Sequence, residues 1–248
     1  IMKIIFLGTN GWFDGNGNNT ICTLIDAQEG YIILDAGFGL AKVEKYITKD
    51  KPVYLFISHF HLDHVCGFHV LPRFNFKQGL NIYYENKNKK AFKALTSHPL
   101  TAPLDYLRYK TTVNKIKAKE YEVPFGFKTL HLDHADTCLG YRMNLEGKII
   151  TYCSDTKVCK NDRELAHGAD LLIHECALQP GNKMEEWGHT NPEDAAQMAK
   201  DEGVKQLALT HFGANGYENN SKRQEAETLA RKIFPKTIVA QDEMVIEI

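Results

Sequence analysis

Short apolar runs, separated by polar turns, recur along the chain and predict β-strands. Several runs are nearly unbroken, as is typical of strands that are buried on both faces. Two pairs of runs flank tight turns, Gln28-Glu29-Gly30 and Glu146-Gly147, and therefore predict hairpins. The predicted strands cover residues 3–7, 21–26, 31–35, 53–57, 127–132, 139–145, 148–153, 170–174 and 206–210.

The clearest helix signal begins near residue 190. Thr190 or Asn191 can cap a helix there, Pro192 suits its first turn, and Gly203 can close it. A second helix is predicted near residues 221–232 and is followed by a final pair of strands. Alternating strands and helices, together with hairpins, predict mixed sheets with helices on the outside. In such folds the functional site lies at strand ends, where several of these runs stop at His, Asp or Ser.

The composition is that of an ordinary globular protein. Of the 248 residues, 43% are hydrophobic and 25% charged, and 30 basic residues against 31 acidic ones give a net charge of −1. These values exclude a fibrous, disordered or coiled-coil chain. No apolar run approaches the ~20 residues of a membrane span. The length is compatible with one domain over residues 1–248.

The first six residues form a predicted strand and lack the features of a signal peptide. We therefore expect a cytoplasmic protein in which the six cysteines are free thiols. Cys66, Cys138, Cys153 and Cys176 lie close in sequence to the motifs described below, and we expect them to pack as buried thiols.

The strongest chemical signal directly follows an apolar strand. The sequence HFHLDH at residues 59–64 places three histidines and an aspartate within six residues. Neutral imidazole and carboxylate groups are ligands of Zn²⁺ and similar ions. His59 and His61 can point in the same direction from an extended segment, whereas Asp63 and His64 can face a second ion. This segment therefore predicts a metal site.

Further ligands must come from elsewhere in the chain, and three candidates stand at later strand ends. His134, Asp155 and His211 each follow a predicted strand. Together with the HFHLDH segment they would complete two coordination shells. His131 is an alternative to His134, although we expect it to lie within its strand.

This ordered set of motifs resembles the metallo-β-lactamase superfamily over nearly the whole chain. HFHLDH is similar to the signature of the superfamily, and the later motifs are similar to its ribonuclease Z branch. The resemblance implies an α/β fold, an αββα four-layer sandwich with two metal ions in a groove at one edge. The motifs are Gly8-Thr9, Asn18-Asn19-Thr20, Leu34-Asp35-Ala36-Gly37, Gly140-Tyr141-Arg142, Ser154-Asp155-Thr156, His174-Glu175-Cys176, Gly188-His189-Thr190 and Leu209-Thr210-His211-Phe212.

The resemblance also implies which residues hold the two divalent ions. The spacing to the Gly140-Tyr141-Arg142 motif favours His134 over His131. Zinc suits a histidine-rich ligand set, and manganese and iron are alternatives. The implied ligands are His59, His61 and His134 for the first ion, Asp63, His64 and His211 for the second, and Asp155 as the bridge.

Two such ions can clamp the attacking and leaving oxygens of a phosphodiester and generate hydroxide near neutral pH. The resemblance assigns the protonation of the leaving oxygen to His189, oriented by Glu175. With Asp63, these are the catalytic residues that we expect. The predicted activity is that of a metal-dependent hydrolase, a phosphodiesterase that cleaves a small cyclic or linear phosphodiester or nucleotide.

Other activities stay open. One is a ribonuclease Z-like tRNA 3′-processing endonuclease. Against it, residues 143–154 form a plain hairpin where that branch usually carries its tRNA-gripping arm, and Cys176-Ala177 replaces the usual Ala-Thr. Another is a metal-dependent hydrolase of a lactone, thioester or lactam. A binding protein with a vestigial metal site belongs to a different class, and loss of Asp155 would leave its binding largely intact.

Residues 73–119 hold eleven Lys and Arg residues but only two acidic ones, Glu85 and Asp105. Such a charge asymmetry can steer an anionic phosphodiester substrate, and interleaved aromatic residues could stack RNA bases. The alternative is a solvated helical face with aromatic residues in the core. No membrane partner is expected, and the resemblance leaves a homodimer open. The aromatic residues proposed to stack are Tyr83, Tyr84, Phe92, Tyr106 and Tyr109.

Overall fold

The computed structural model describes residues 1–184 and 186–248 and contains, within them, two seven-stranded mixed sheets. The first sheet has the strand order β16-β1-β3-β4-β5-β6-β7. Its hairpin β3–β4 is the one predicted from the turn at Gly30. The strands are β1 (Lys3–Gly8), β3 (Cys22–Ala27), β4 (Gly30–Leu34), β5 (Val53–Phe56), β6 (Leu80–Glu85), β7 (Thr111–Ile116) and β16 (Met244–Glu247).

The second sheet has the strand order β15-β13-β12-β11-β10-β9-β8. Its predicted hairpin, β10–β11, is also present. Two short strands, β2 (Asn10–Gly11) and β14 (Phe212–Gly213), pair in parallel outside both sheets. The strands of the second sheet are β8 (Lys119–Tyr121), β9 (Phe127–His131), β10 (Leu139–Leu145), β11 (Lys148–Cys153), β12 (Leu171–Glu175), β13 (Leu207–Thr210) and β15 (Thr237–Val239).

Helices flank the sheets, and none in the described part of the chain is long and apolar enough to cross a membrane. The predicted helix near residue 190 is present, with the Asn191 side chain accepting a hydrogen bond from the Asp194 N–H at 2.8 Å. The α-helices are α1 (Leu62–Val65), α2 (Lys89–Leu95), α3 (Lys160–Ala166), α4 (Pro192–Asp201) and α5 (Asn220–Ile233). The 3₁₀ segments are Phe38–Lys45, Cys66–Arg73, Asn86–Asn88 and Leu104–Tyr106.

Apolar side chains form three layers of core, which confirms the predicted αββα sandwich. The central layer joins both sheets, with Phe6 and Phe56 from the first packing with Tyr141 and Tyr152 from the second. One outer layer lies between the first sheet and helix α2, and the other lies between the second sheet and helices α3, α4 and α5. Burying a ring such as Phe56 contributes roughly 2–3 kcal/mol, and it fixes the strand that leads into the HFHLDH segment.

Two expectations from the sequence are corrected. The final two strands do not pair with each other, because β15 joins the second sheet beside β13 and β16 joins the first sheet beside β1. The segment 73–119 is also not a mainly helical surface. It contributes strands β6 and β7 to the first sheet.

Candidate metal centre

The HFHLDH segment leaves the end of strand β5 and meets the ends of three strands of the second sheet. There the structure brings together seven His and Asp side chains whose ligand atoms form two groups. The first group is His59, His61, His134 and Asp155, and the second group is Asp63, His64 and His211. These are the seven ligands implied by the resemblance.

Asp155 faces both groups with different oxygens. Its Oδ2 lies 3.8 Å from Nε2 of His59 and 3.9 Å from Nε2 of His134, in the first group. Its Oδ1 lies 3.2 Å from Nε2 of both His64 and His211, in the second group. One carboxylate at the end of strand β11 can therefore serve two cations at once.

Hydrogen bonds fix the proton positions of the first group. Nε2 of His61 lies 3.0 Å from Oδ2 of Asp136, which can only accept, so the proton sits on Nε2. Nδ1 of His134 faces the carbonyl of Gly188 at 3.4 Å. The remaining nitrogens, Nδ1 of His61 and Nε2 of His134, are 3.3 Å apart and point into the group.

A buried carboxylate sets the tautomers of two more histidines. Asp35 accepts hydrogen bonds from the Ser58 hydroxyl at 2.7 Å and from Nδ1 of His64 at 2.8 Å. Because the Ser58 proton is used in this way, the Ser58 oxygen can accept from Nδ1 of His59, at 3.0 Å. Nε2 of His59 is buried and has no hydrogen-bond partner among the described residues. Both imidazoles thus direct their Nε2 lone pairs into the cluster.

The electrostatics of the cluster favour bound cations. Burial and the neighbouring His64 hold the pKa of His59 well below its usual value, so its lone pair is available. Burial would raise the pKa of Asp155, but His211 and His64 hold it well below its ordinary range. For His64, burial alone would lower the pKa, but the surrounding carboxylates, Asp155 foremost, raise it well above its usual value, so a cation competes with a proton for its Nε2. Neutral imidazoles together with ionised carboxylates are the donor set of zinc and related divalent ions. The residues present therefore fit two divalent metal ions.

His189 and Glu175 form an ion pair beside the cluster. Nδ1 of His189 donates to Oε1 of Glu175 at 2.8 Å, and the Glu175 side chain is fully buried. Burial alone would lower the pKa of His189, but the Glu175 carboxylate outweighs it and raises the pKa to about 9. The His189 ring centroid lies 5.4 Å from that of His134 and 6.1 Å from that of His211. It therefore stands beside both ligand groups.

The short strand pair β2–β14 brings the loop after β1 against the second group. A Cβ atom on Gly11 would lie 2.5 Å from Cε1 of His211, so only glycine leaves room for this ring. The Trp12 N–H donates to Oδ2 of Asp63 at 2.6 Å. The loop thus supports two of the three side chains in the second group.

His131 and the four cysteines near the motifs lie outside the two ligand groups. His131 ends strand β9 and its Nε2 contacts Oε2 of Glu85 at 3.1 Å, outside both groups. Cys138, Cys153 and Cys176 are buried free thiols, as expected, whereas Cys66 is half-buried.

The aromatic residues of segment 73–119 are mostly unavailable to RNA. Tyr83, Tyr84, Phe92 and Tyr109 are buried in the core, so the hypothesis that they stack bases is wrong for these four. Tyr106 is exposed. All eleven Lys and Arg residues of the segment are exposed.

Several residues at the site were not assigned a role from the sequence. Asp35 stands directly after an apolar strand, and a carboxylate at that position could have signalled its role. Asp136 and Ser58 gave no such signal, because neither has a distinctive local pattern. Trp12 contacts Asp63 from a loop 51 positions earlier in the chain, which a sequence pattern does not reveal. Trp187 stands two residues before His189, and that proximity was the signal that could have found it.

Comparison with known proteins identifies the class. Residues 31–212 match the profile of the "Beta-lactamase superfamily domain" family, and the chain belongs to that superfamily. The match confirms the predicted superfamily and, with it, the prediction of a metal-dependent hydrolase.

Among curated relatives, the chain is similar to ribonuclease Z of Methanothermobacter thermautotrophicus, with 41% identity over 105 residues that span 42% of this chain and 33% of that protein. It is 25% identical to ribonuclease Z of Archaeoglobus fulgidus in a 312-position alignment covering 100% of this chain and 98% of that protein. It is 26% identical to the "Probable metallo-hydrolase YhfI" of Bacillus subtilis over 250 residues, which cover 92% of this chain and 93% of that protein.

Solved structures agree on the fold. The crystal structure of the metallo-beta-lactamase fold protein YhfI from Bacillus subtilis superposes with a TM-score of 0.81 and 24% identity, covering 99% of this chain and 98% of that one. Human tRNase Z, short form, superposes with a TM-score of 0.76 and 23% identity, with the same coverage. At these identities the likeness establishes the fold.

Proposed function

We propose that the protein is a dinuclear metal-dependent phosphodiesterase that acts on a small cyclic or linear phosphodiester or nucleotide. The observation that carries the proposal is the position of Asp155, whose two oxygens face the two ligand groups separately. Two cations held side by side by one carboxylate suit in-line displacement at a phosphodiester.

The metal ligands in this proposal are the seven residues of the two groups. When bound, two divalent ions supply a hydroxide nucleophile near neutral pH and neutralise charge on the phosphoryl oxygens. Asp35 and Ser58 hold His64 and His59 with Nε2 free for coordination. Asp63 accepts the Trp12 N–H and lies 3.3 Å from Nε2 of His211, so it is fixed in the second group.

His189 is the general acid in this proposal. With Nδ1 engaged by Glu175, its protonated ring directs Nε2–H toward the departing oxygen. The buried Glu175 carboxylate also accepts the N–H groups of Thr156, at 3.0 Å, and Ala177, at 2.7 Å. These bonds hold Glu175 in place, so it orients His189 and stabilises its charge.

The test is hydrolysis of bis(p-nitrophenyl) phosphate by zinc- or manganese-loaded protein. Turnover should disappear after chelation and in Asp155→Ala, whereas Asp201→Ala, which removes an exposed carboxylate on helix α4, should keep it. Retained turnover in Asp155→Ala would contradict the proposal. Absence of turnover in protein shown to hold two metal ions would redirect the search to lactones, thioesters and lactams.

A second candidate is a ribonuclease Z-like tRNA endonuclease, and the eleven exposed cations of segment 73–119 favour it. Curated relatives named ribonuclease Z support it further. Against it, residues 143–154 are occupied by hairpin β10–β11. The alignment with ribonuclease Z of Archaeoglobus fulgidus also spans 312 positions, more than the 248 residues of this chain. The relative therefore carries segments that this chain lacks.

Charge reversal on helix α2 separates the two candidates. If RNA binds there, Lys90→Glu and Lys93→Glu should weaken tRNA binding and reduce the slope of log K against log salt by about one each. Lys222→Glu, at an exposed position of helix α5, is the matched control. Unchanged tRNA binding in the α2 variants, or failure to cleave a tRNA precursor, would remove this candidate.

A further inference from the structure

The chain has two tryptophans, and both lie at the ligand cluster with much of their surface exposed. Trp12 is 68% exposed and Trp187 is 52% exposed. Large aromatic side chains are usually buried, since each can remove about 150–250 Å² from water. Two exposed tryptophans beside one polar cluster indicate a surface that a bound ligand covers.

The main chain of Trp12 is hydrogen-bonded to the second ligand group. Its N–H donates to Asp63, and the preceding Gly11 lies against the His211 ring. Its φ is +74°, a left-handed conformation that is strained for a bulky residue and is typical of functional positions. The Trp12 ring packs against the ring of Phe13 in a T-shaped arrangement, with a centroid distance of 5.2 Å and an interplanar angle of 68°. The backbone is therefore held while most of the side chain stays accessible.

Trp187 lies against the first ligand group. Its ring centroid is 6.1 Å from that of His61, and its carbonyl accepts the N–H of Ala135 at 3.3 Å. The ring precedes the His189 general acid by two residues in the chain. Each ligand group thus has one exposed tryptophan beside it.

An exposed apolar side chain also stands in the ligand segment itself. Leu62, which separates His61 from Asp63, is 76% exposed. The polar centre suits a phosphoryl group, whereas its flanks suit a flat apolar group attached to that phosphate. A nucleobase has this chemistry, because every base offers an aromatic face for stacking.

We propose that Trp12 and Trp187 are specificity-determining residues that stack on the nucleobase of a nucleoside phosphodiester. The inference rests on the proposed phosphodiesterase function and narrows its substrate class. Stacking of one base on an aromatic side chain changes affinity by roughly five- to 150-fold. A diester without a base gains none of the affinity that the base adds, and a leaving group shared by two substrates contributes equally to both.

Two substrates with the same leaving group test the inference. These are p-nitrophenyl thymidine 5′-phosphate and methyl p-nitrophenyl phosphate. The first carries a nucleoside where the second carries a methyl group. The wild-type protein should prefer the nucleoside ester by about tenfold or more in kcat/KM. The double variant Trp12→Ala/Trp187→Ala should reduce that ratio to near one, and the corresponding Phe variants should keep most of it. Using the ratio cancels any general loss at the metal centre.

Val123→Ala is the matched control, because Val123 is a 76% exposed apolar residue in the loop between β8 and β9. It should leave the ratio unchanged. A wild-type ratio near one, or a ratio that survives in the double variant, would overturn the stacking inference while phosphodiester hydrolysis stands.

Binding gives a second readout that is independent of turnover. The two tryptophans are the only indole fluorophores of the chain, and they can be excited at the red edge of their band, where nucleotides do not absorb. Thymidine 5′-phosphate should quench this fluorescence in metal-loaded protein, and ribose 5-phosphate should not. If neither ester is hydrolysed but the base-dependent quenching is seen, the phosphodiesterase proposal fails and the stacking site stands. Equal effects of the two phosphates would overturn the stacking site.

Discussion

Asp35 accepts a hydrogen bond from Nδ1 of His64 at 2.8 Å, and both side chains are fully buried. Asp35 also accepts from the Tyr152 hydroxyl at 2.7 Å and from Ser58, so its position is fixed by both sheets. The bond to His64 leaves that imidazole with one free nitrogen, which faces His211 and Asp155. A single carboxylate outside the ligand set thereby determines which atom of His64 can coordinate.

Replacing Asp35 should weaken metal binding without removing a ligand. We expect Asp35→Asn to lower metal affinity by about 10- to 100-fold, because the carboxylate no longer fixes the His64 tautomer. Competition with a chromophoric chelator measures the affinity. Asp201→Asn, at an exposed carboxylate, is the control. Equal affinities in the two variants would contradict the positioning role.

Gly11→Ala should impair activity through His211. The new methyl group would lie within 2.5 Å of the His211 ring, so the ring must move out of the second group. We expect activity on bis(p-nitrophenyl) phosphate to fall by at least about tenfold. Gly126→Ala is the control, since its Cβ would first meet Asn144, at 3.9 Å. Wild-type activity in Gly11→Ala would show that the loop can adjust.

Glu175→Gln should change the pH dependence of the reaction. Glu175 raises the pKa of His189 to about 9, so His189 stays protonated, and able to act as an acid, up to that pH in the metal-free protein. Removing the negative charge lowers this pKa, and protonated His189 is then lost at lower pH. The alkaline limb of the pH–rate profile should therefore move to lower pH. NMR titration of the imidazole in metal-free protein measures the same shift directly, and an unchanged titration would refute it.

Zinc should stabilise the metal-free protein against unfolding. A ligand that binds only the folded state at a concentration of one hundred times its Kd adds about 2.7 kcal/mol to the free energy of unfolding. The increase should be smaller in Asp155→Asn, because this residue faces both groups. Thermal unfolding with and without zinc is the measurement. Equal stabilisation of wild type and variant would argue that Asp155 is not a ligand.

Much of the candidate site could be predicted from the sequence because its candidate ligands stand at strand ends. His59 follows strand β5, Asp155 follows β11 and His211 follows β13, and each of these strands is an apolar run. Strand-end residues in an α/β fold converge at one edge of the sheets, so the order of strands and the residues that follow them predict the same site.

The features that the sequence did not predict depend on tertiary contacts or belong to strands without a recognisable apolar pattern. Trp12 contacts Asp63, 51 positions away, and no local pattern encodes that bond. Strand β7 lies at the edge of its sheet, and its exposed positions carry Thr112, Val113 and Lys115, which do not alternate with buried apolar residues. Such charged edge strands discourage aggregation, and they also lack the alternating pattern by which a strand is recognised.

Each ligand group draws on both sheets. Four candidate ligands, His59, His61, Asp63 and His64, follow a strand of the first sheet, whereas the other three candidate ligands follow strands of the second. Neither half of the chain holds a complete coordination shell, so metal uptake reports that the two halves have assembled. Two separately produced fragments, cut between strands β7 and β8, should bind zinc weakly when apart and tightly after they recombine. The metal centre would thus serve as a built-in probe of sandwich assembly.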